Sequence, residues 1–478
     1  MKRRHFLQNG LALGCSAAAS PLMTPVVFAA APTNNRLVVV LLRGAMDGLD
    51  AVRPIGDRDW ASLRPTRTDE TTLHDPSGFF GLNQGLDALA PLWHAGELAA
   101  VHAVSTPYRD RRSHFDGQDL LEAGLSAVDS AGHGGWLNRL LQVMPGASSD
   151  TAYAIGRERL LILAGEAQIS SWSPDARLNL SAQARHLLEV VQHDDPLFRD
   201  TLAEAIEIAA DVADGPRMGQ GAFNGDHARL AEFAANRLSQ EARIASFSLA
   251  GWDTHAHQDR ALPTALGRLS EVILTLKSGL GPHWANTAVI CITEFGRTAR
   301  LNGTGGTDHG TGGAMLCAGG ALHGGRVLGQ WPGLAEATLY AQRDLMPTRD
   351  LRAHVGWVIR GLFGTSIADI DRNDWRRLAG LSNPFLRYEF FQALETSKCT
   401  TEVTGWAPSH LVFRKAGRVV GIAPAFLKNH SMGEYVFDWA WADAYQRHGL
   451  DYYPKLLIAI PFTPSAGPRL LLEPELRQ

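Results

Sequence analysis

Residues 37–48 read LVVVLLRGAMDG, six apolar residues followed at once by a polar cluster that contains Asp47. Two later segments repeat this pattern, IASFSLAGWDTHAH at 244–257 and AVICITEFGRT at 288–298. Continuous rather than alternating apolar runs are typical of strands buried on both faces, as in a parallel sheet covered by helices. Residues 37–48 therefore predict a central strand of such a sheet and the loop that leaves it.

Amphipathic helical patterns lie between these runs, at residues 182–191, 202–212 and 228–243, and a milder apolar run, LAAVHAV, occupies 98–104. Alternating strands and helices predict an α/β sandwich with a mostly parallel central sheet. Ligands of such sheets bind beyond the carboxyl ends of the strands. Because each polar cluster follows a predicted strand, we expect the clusters to meet at one edge and to form the functional site.

Composition excludes several classes of protein. The chain has 478 residues, 45% of them hydrophobic and 20% charged, which suits a large core and does not suit a disordered chain. The net charge of -4, without a stripe of basic and aromatic residues, gives no indication of nucleic-acid binding. Four cysteines without a CxxC pair argue against a disulfide scaffold and a zinc ribbon.

The N-terminus begins MKRRHFL, a twin arginine followed by Phe-Leu and then by a mild Ala/Gly/Leu stretch. This pattern predicts a twin-arginine signal peptide over residues 1–31, cleaved near Ala29, and a periplasmic or exported protein. The twin-arginine translocase is then a partner during export, and no stable membrane span is expected after cleavage. A basic tail on a cytosolic protein and lipidation at Cys15 are the alternatives.

Carboxylates and imidazoles concentrate in the polar clusters. The candidate metal ligands are Asp47, Asp253, His255, His257, Asp308 and His309. Carboxylate and imidazole together suit divalent cations, and two such sets predict two ions, with Zn, Mg, Mn and Ca not distinguished. Each motif also has a structural interpretation, since an Asp-His pair in a glycine-rich loop is common turn chemistry and an Asp after a strand is a common helix cap.

The segment YRDRRSHFDGQD at 108–119 is dense in reactive side chains. Ser113 is a candidate nucleophile, and neighbouring arginines such as Arg112 would receive an anionic ester substrate, either a small molecule or a polymer. A helix cap is the alternative role for Ser113, and the two roles are compatible. Farther along, Glu294 is expected to support the metal ligands and Arg297 to bind the substrate anion, unless they form an ion pair.

Five motifs, in this order behind the signal, resemble the family called domain of unknown function 1501: RGAMDGL (43–49), RSHFD (112–116), GWDTH (251–255), TEFGRT (293–298) and GTDHG (306–310). The resemblance covers about residues 1–366. It implies, for residues 32–367, the α/β sandwich of the alkaline-phosphatase-like superfamily of phosphatases, phosphodiesterases and sulfatases.

The same resemblance implies roles for individual residues. Asp47 matches the first-strand metal carboxylate of the superfamily, and Ser113 falls where its nucleophile is found. The two metal-binding pairs are Asp253 with His257 and Asp308 with His309. One more histidine ligand is usual downstream, and here His323 is the candidate, with His255 as a substitute from the first loop.

Composition changes after about residue 364 towards aromatic residues and proline, which predicts a domain boundary near residue 368. The segment LVFRKAGRVVG at 411–421 predicts a hairpin. Three further motifs resemble the start of the FemAB-like peptidoglycan-biosynthesis family of Gcn5-related acyltransferases: NPFL (383–386), HSMGEYVFDWAW (430–441) and YYPKL (452–456). The resemblance implies a partial α+β acyltransferase-like segment over 368–478, without the portion that would bind an acyl donor.

Together these patterns predict a periplasmic, metal-dependent phosphoester or sulfoester hydrolase-like protein whose substrate the sequence does not name. The incomplete histidine set leaves a second hypothesis, a non-catalytic binding or assembly protein on the same fold. A third hypothesis is acyltransferase activity from the C-terminal segment.

Overall fold

The protein is described here by a computed structural model. The described residues are 26–27, 34–65, 73–109, 112–125, 134–144, 146–174, 225–363, 366–401, 404–415, 418–435, 437–447 and 452–476. The predicted signal peptide, apart from residues 26–27, and the helices predicted at 182–191 and 202–212 lie outside them.

A nine-stranded sheet forms the centre of the N-terminal part, counted over the described residues. Its strands are β1 (Arg36–Arg43), β2 (Leu98–Ser105), β3 (Ala152–Ile155), β4 (Ser170–Trp172), β5 (Ile244–Ala250), β6 (Thr287–Ile292), β7 (Gly313–Ala318), β8 (Arg326–Leu328) and β9 (Arg349–Asp350). They are ordered β8-β2-β7-β6-β1-β5-β3-β4, with β9 also paired to β2. Every pairing in this sheet is parallel except the two made by β7, which runs antiparallel to β2 and β6.

Strand β1 lies inside the sheet and is buried on both faces. Its even-numbered apolar residues, Val38 to Leu42, join one hydrophobic cluster, and its odd-numbered ones, Leu37 to Leu41, join another. Successive side chains of a strand point to opposite faces, so an unbroken apolar run is what such a strand needs. Each fully buried Val or Leu stabilises the fold by about 1.5–3 kcal/mol. The predicted sandwich with a mostly parallel sheet is confirmed.

Helices cover both faces of this sheet. Among its described residues, the N-terminal part has the α-helices α1 (Gly48–Ala51), α2 (Trp60–Leu63), α3 (Ala90–His94), α4 (His114–Ala123), α5 (Trp136–Val143), α6 (Asp226–Ser239), α7 (Gln258–Leu280) and α8 (Leu351–Phe363). Apolar residues of α6 and α7 pack with Val38 and its neighbours. Those of α5 and α8 pack on the opposite face, with Leu37 and its neighbours.

The strand directions bring several loops to one edge of the sheet. The parallel strands β1, β2, β5 and β6 all end there. Because β7 is antiparallel to β6, it begins at the edge where β6 ends. The whole connection from β6 to β7 therefore lies at this edge. The loops that carry the polar sequence clusters therefore meet, as the α/β rule predicts.

The C-terminal part contains two small antiparallel sheets and its own hydrophobic cluster. Its elements are α9 (Arg372–Ala379), α10 (Tyr388–Thr396), α11 (Trp439–Arg447), β10 (Trp406–Pro408), β11 (Leu411–Lys415), β12 (Arg418–Ala423), β13 (Ala425–Lys428), β14 (Lys455–Ile458) and β15 (Leu471–Leu472). Strands β11 and β12 pair antiparallel, which confirms the predicted hairpin. Two-residue pairings also join Val52–Arg53 to Gly81–Leu82 and Val26–Val27 to β11. In the described residues, no helix combines the length and the apolar content that crossing a membrane requires.

Candidate metal centre

Three side chains from three loops converge at the carboxyl edge of the sheet. Asp253 follows β5, His309 lies between β6 and β7, and His114, which follows β2, is the first residue of α4. One ligand atom from each lies within 4.8 Å of the other two. Over the residues that the structure describes, these three form the one group of histidine, cysteine and acidic side chains placed to share a cation. Two imidazoles and a carboxylate are the three protein ligands of many catalytic zinc sites.

Both imidazoles of this group are oriented by their Nδ1 atoms. His309 Nδ1 lies 3.0 Å from the carbonyl oxygen of Arg112, and His114 Nδ1 lies 2.8 Å from Glu294 Oε1. A carbonyl oxygen only accepts, so His309 Nδ1 must donate, and its Nε2 carries the lone pair when the ring is neutral. His114 Nε2 is buried and has no hydrogen-bond partner. A buried imidazole nitrogen without a partner, facing Asp253 Oδ2 at 3.5 Å, fits a bound cation.

Glu294 is a buried anion that holds His114 in place. Besides His114, it accepts from the backbone N–H of Gly44 at 3.0 Å, from Gln118 at 3.2 Å and from Thr293 at 2.8 Å. Burial opposes the charged form, but the hydrogen bonds, led by that from His114, lower the pKa of Glu294 below its usual value. In turn, the hydrogen bond to Glu294 raises the pKa of His114. Positive charge is therefore favoured on this ring, and a cation at Nε2 would supply it as a proton does.

Asp253 is fixed by the guanidinium of Arg297. Arg297 Nη2 donates to Asp253 Oδ1 and to the carbonyl oxygen of Gly44, while its Nε and Nη1 donate to the carbonyl oxygens of Ala45 and Thr307. Partial burial raises the pKa of Asp253, but the hydrogen bond and charge of Arg297 outweigh it and lower the pKa overall. The Arg297 side chain is fully buried, so it positions Asp253, and the expected role in contacting a substrate anion does not match this placement.

Two glycines, Gly44 and Gly310, allow the loops around the candidate metal centre to pack closely against one another. Gly44 has a φ of +118°, and a Cβ there would lie 2.6 Å from the backbone nitrogen of Asp253. A Cβ at Gly310 would lie 2.4 Å from the carbonyl carbon of Arg297. Contacts that short exclude any side chain, so glycine at both positions lets backbone pass directly against the loops that hold Asp253 and His309.

His255 stands at the solvent rim of the group. Its Nε2 lies 2.9 Å from His309 Nε2 and 3.1 Å from Asp253 Oδ1. Its Nδ1 lies 3.4 Å from Asp308 Oδ1, which also accepts from Asn302 at 3.2 Å. His255 therefore contacts two members of the group, His309 and Asp253, from outside it, and Asp308 contacts the group through His255.

Two predicted histidine ligands lie elsewhere. His257 is exposed, has a left-handed φ of 48° and precedes the first residue of α7, outside the group of three. His323 follows β7, whose end lies at the opposite edge of the sheet, where the neighbouring Gly324 N–H donates to the carbonyl oxygen of Gly96 at 2.6 Å. His323 cannot complete a site at the carboxyl edge.

Asp47 is buried beneath the loops and is bound by protein groups alone. Arg64 Nη1 lies 2.8 Å from its Oδ2, Gln258 Nε2 lies 2.7 Å from the same oxygen, and Oδ1 caps α1 by accepting from the N–H of Leu49 and Asp50. Burial works against the charged form, but Arg64 and Gln258 outweigh it and hold the pKa of Asp47 below its usual value. Asp47 thus caps α1, the structural role expected of an aspartate that follows a strand.

Ser113 caps α4, with its Oγ accepting from the N–H of Asp116 at 3.4 Å, and it directly precedes His114. Two partly exposed arginines lie beside His309. Arg112 orients the imidazole through its carbonyl oxygen, and Arg343 Nη2 donates to the carbonyl oxygen of His309 at 2.9 Å. Both guanidinium groups face the buried Asp344, at 3.7 Å from Arg112 and 3.1 Å from Arg343.

Sequence reasoning missed His114 and Arg343. His114 lies in the quoted RSHFD motif, and its residue type was the available signal, since histidine is the commonest metal ligand. Arg343 lies in a loop between β8 and β9 with no motif around it, so only the chain fold places it beside His309.

The fold and the site define a class of protein: an α/β sandwich that carries a three-ligand candidate metal centre at the carboxyl edge of its sheet. The chain belongs to the family described as protein of unknown function, DUF1501, whose model matches residues 100–358, more than half of the chain. Residues 366–478 match a second model, FemAB-like, described as peptidoglycan biosynthesis and recognition. No curated protein matches the chain.

Solved structures similar to this chain include members of the superfamily that the motifs indicated. Alkaline phosphatase from the Antarctic bacterium TAB5 is 10% identical, with 62% of this chain and 94% of that chain covered and a TM-score of 0.30. A protein in the alkaline phosphatase superfamily from Vibrio parahaemolyticus is 12% identical, with 90% and 93% covered and a TM-score of 0.32. The C-terminal periplasmic domain of EcEptC from Escherichia coli is 10% identical, with 60% and 72% covered and a TM-score of 0.29.

Proposed function

We propose that residues 32–367 form an exported, metal-dependent hydrolase of phosphate or sulfate esters. The observation that carries this proposal is the buried His114 Nε2, which has no hydrogen-bond partner and faces Asp253 beside His309. These residues fit a divalent cation, because each imidazole is held through its other nitrogen, as metal-binding histidines usually are. Held there, a cation supplies Lewis-acid polarisation of an ester oxygen.

The residues around the group suit an anionic ester. Arg112 and Arg343 place two partly exposed guanidinium groups beside His309, and both face the buried carboxylate of Asp344. A guanidinium pairs well with the oxygens of a phosphoryl or sulfuryl group. Ser113 remains the proposed nucleophile, because its backbone adjoins His114 and its hydroxyl lies at the positive end of α4. The twin-arginine signal predicted from residues 1–31 is the basis for proposing export to the periplasm.

Metal content and hydrolysis test this proposal together. Elemental analysis of the mature protein should find a bound divalent ion, and a screen of generic phosphate and sulfate esters should find turnover. Asp253→Asn should lose both, whereas the matched control His257→Gln, which alters an exposed residue outside the group, should keep both. An Asp253→Asn protein that folds and retains its ion would refute the site.

The alternative is a binding or assembly protein on the same fold. The engagement of Asp47 by Arg64 and Gln258 favours it, because one carboxylate of the implied two-ion site is thereby committed to protein groups. Stoichiometric metal without hydrolysis of any ester would support this alternative. The acyltransferase hypothesis for residues 368–478 would fail if a chain ending at residue 367 kept every detectable property.

A further inference from the structure

We infer that Arg64 stands in for the second metal ion of the site, so that this chain holds one divalent cation and not two. The inference rests on the proposed function for the first cation, at His114, Asp253 and His309. It concerns the carboxylate of Asp47, which the superfamily resemblance implies as a metal ligand. Asp47 and Arg64 lie beneath the site, and neither side chain is more than 1% exposed.

Both carboxylate oxygens of Asp47 already accept hydrogen bonds from protein groups. Oδ2 accepts from Arg64 Nη1 at 2.8 Å and from Gln258 Nε2 at 2.7 Å. Oδ1 accepts from Arg64 Nη2 at 3.4 Å and from the N–H of Leu49 and Asp50 at 3.1 and 3.3 Å. A carboxylate offers about four lone-pair positions, and five donors are directed at this one. A cation could bind Asp47 only by displacing Arg64 or Gln258.

Arg64 is itself held by the loop that leaves β6. Its Nε donates to the carbonyl oxygen of Ala299 at 2.7 Å, and its Nη2 donates to that of Thr298 at 2.9 Å. These residues directly follow Arg297, which holds Asp253. Every nitrogen of the Arg64 guanidinium therefore has a protein acceptor. To release Asp47, Arg64 would have to break bonds to two buried carbonyl oxygens.

The charges beneath the site balance without a second ion. Asp47 pairs with Arg64, and the neighbouring buried Asp50 pairs with Arg53 at 2.9 Å. Gln258 Nε2 bridges the two carboxylates, at 2.7 Å from Asp47 and 2.9 Å from Asp50. Two carboxylates and two guanidinium groups sum to zero. A divalent ion added here would create an uncompensated buried charge, which is strongly unfavourable.

Metal counting on the full chain tests this inference. The purified protein, saturated with Zn²⁺ or with Mn²⁺ and then freed of excess metal, should contain one ion per chain by elemental analysis. Asp47→Asn should still contain one ion, whereas Asp253→Asn should contain none. If Asp47→Asn does not fold, the neutral pair Asp47→Asn/Arg64→Gln takes its place, and the wild-type count needs no variant at all.

The outcomes separate this inference from the proposed function. Two ions in the wild type, one of which is lost in Asp47→Asn, would overturn the role of Arg64 and leave the hydrolase proposal intact. A wild-type protein that binds no divalent ion would overturn the proposed function, and it would also overturn the inference of one ion per chain. One ion in both the wild type and Asp47→Asn, with no ester hydrolysis, would support the inference while the hydrolase proposal failed.

Discussion

At the candidate metal centre, the buried carboxylate of Glu294 orients His114 through the ring nitrogen that does not face Asp253. Glu294 binds His114 Nδ1 at 2.8 Å, which leaves Nε2 directed at Asp253. A hydrogen bond of this kind fixes both the tautomer and the orientation of a metal-binding imidazole, and it increases the basicity of the ligand atom. The residue that determines affinity is therefore not itself a ligand.

Glu294→Gln should lower the affinity for a divalent ion about 10- to 100-fold, because the neutral amide no longer strengthens His114 as a ligand. Isothermal titration with Zn²⁺ would measure the change. Glu122→Gln is the matched control, since Glu122 is also a buried carboxylate, lies on α4 and pairs with Arg43 at 2.9 Å without contacting an imidazole. Equal affinity loss in both variants would show that Glu294 acts through general stability.

Among the strands of the central sheet, the parallel ones were predictable and the antiparallel β7 was not. The runs at β1, β5 and β6 are mostly apolar because both faces of these strands are largely buried, and this pattern predicted the edge at which Asp253 and His309 meet. The apolar run of β7 looks the same in either direction. Its reversal, which removes His323 from the site, depends on pairing with β2 and β6 and leaves no local signal.

The sequence was enough to predict which loops carry the candidate site, but it did not predict which side chains pair with the residues of those loops. Asp253 and His309 follow strand ends, as the rule for α/β sheets requires. Arg64, which pairs with Asp47, directly follows the short helix α2, and nothing in the surrounding sequence marks it as a partner for Asp47. Arg297 is similar, because its burial beneath Asp253 depends on the carbonyl oxygens of other loops. Motifs identify reactive residues, and only the packed loops show which of them reach solvent.

Strand β2 carries a buried histidine that should make stability depend on pH. His102 Nε2 lies 2.9 Å from the carbonyl oxygen of Val52, and its Nδ1 accepts from the N–H of Ala103 at 2.8 Å. This pattern requires the neutral ring, and burial lowers the pKa of His102 to about 4. The unfolded chain, with a histidine pKa of about 6.5, binds the proton first, so stability should fall as pH drops from about 6.5 to about 4.

The full effect of His102 is about 3 kcal/mol, from a pKa shift of roughly 2.5 units at 1.36 kcal/mol each. Denaturant unfolding of the wild type and of His102→Gln across this pH range would measure it. Gln offers a donor and an acceptor but does not titrate, so its stability should depend less on pH. Some dependence should persist, because burial also lowers the pKa of His354 to about 4. Parallel pH profiles for the two proteins would contradict the assignment to His102.

At the scale of the whole molecule, the described residues of the two parts differ in how many large apolar side chains they expose. Large exposed side chains cluster around α11 in the C-terminal part, where Tyr435 is 73%, Phe437 52%, Trp439 63% and Trp441 64% exposed. Phe437 and Trp439 stack with their ring centroids 4.8 Å apart, and grouped exposed aromatic side chains are typical of a contact surface or an aggregation-prone one. The same group lies in the motif that resembles the FemAB-like family.

This exposed group should drive self-association of the full chain. The double variant Trp439→Ser/Trp441→Ser should remain monomeric at concentrations where the wild type associates, because about half of the exposed apolar area contributed by the four side chains is lost. Sedimentation velocity over a range of protein concentrations measures the difference. Leu381→Ser is the control, since Leu381 is 65% exposed in the same part of the chain but lies far from α11 in sequence. Equal association in the double variant and in Leu381→Ser would exclude this surface as the cause, whereas a selective loss would locate the contact at α11.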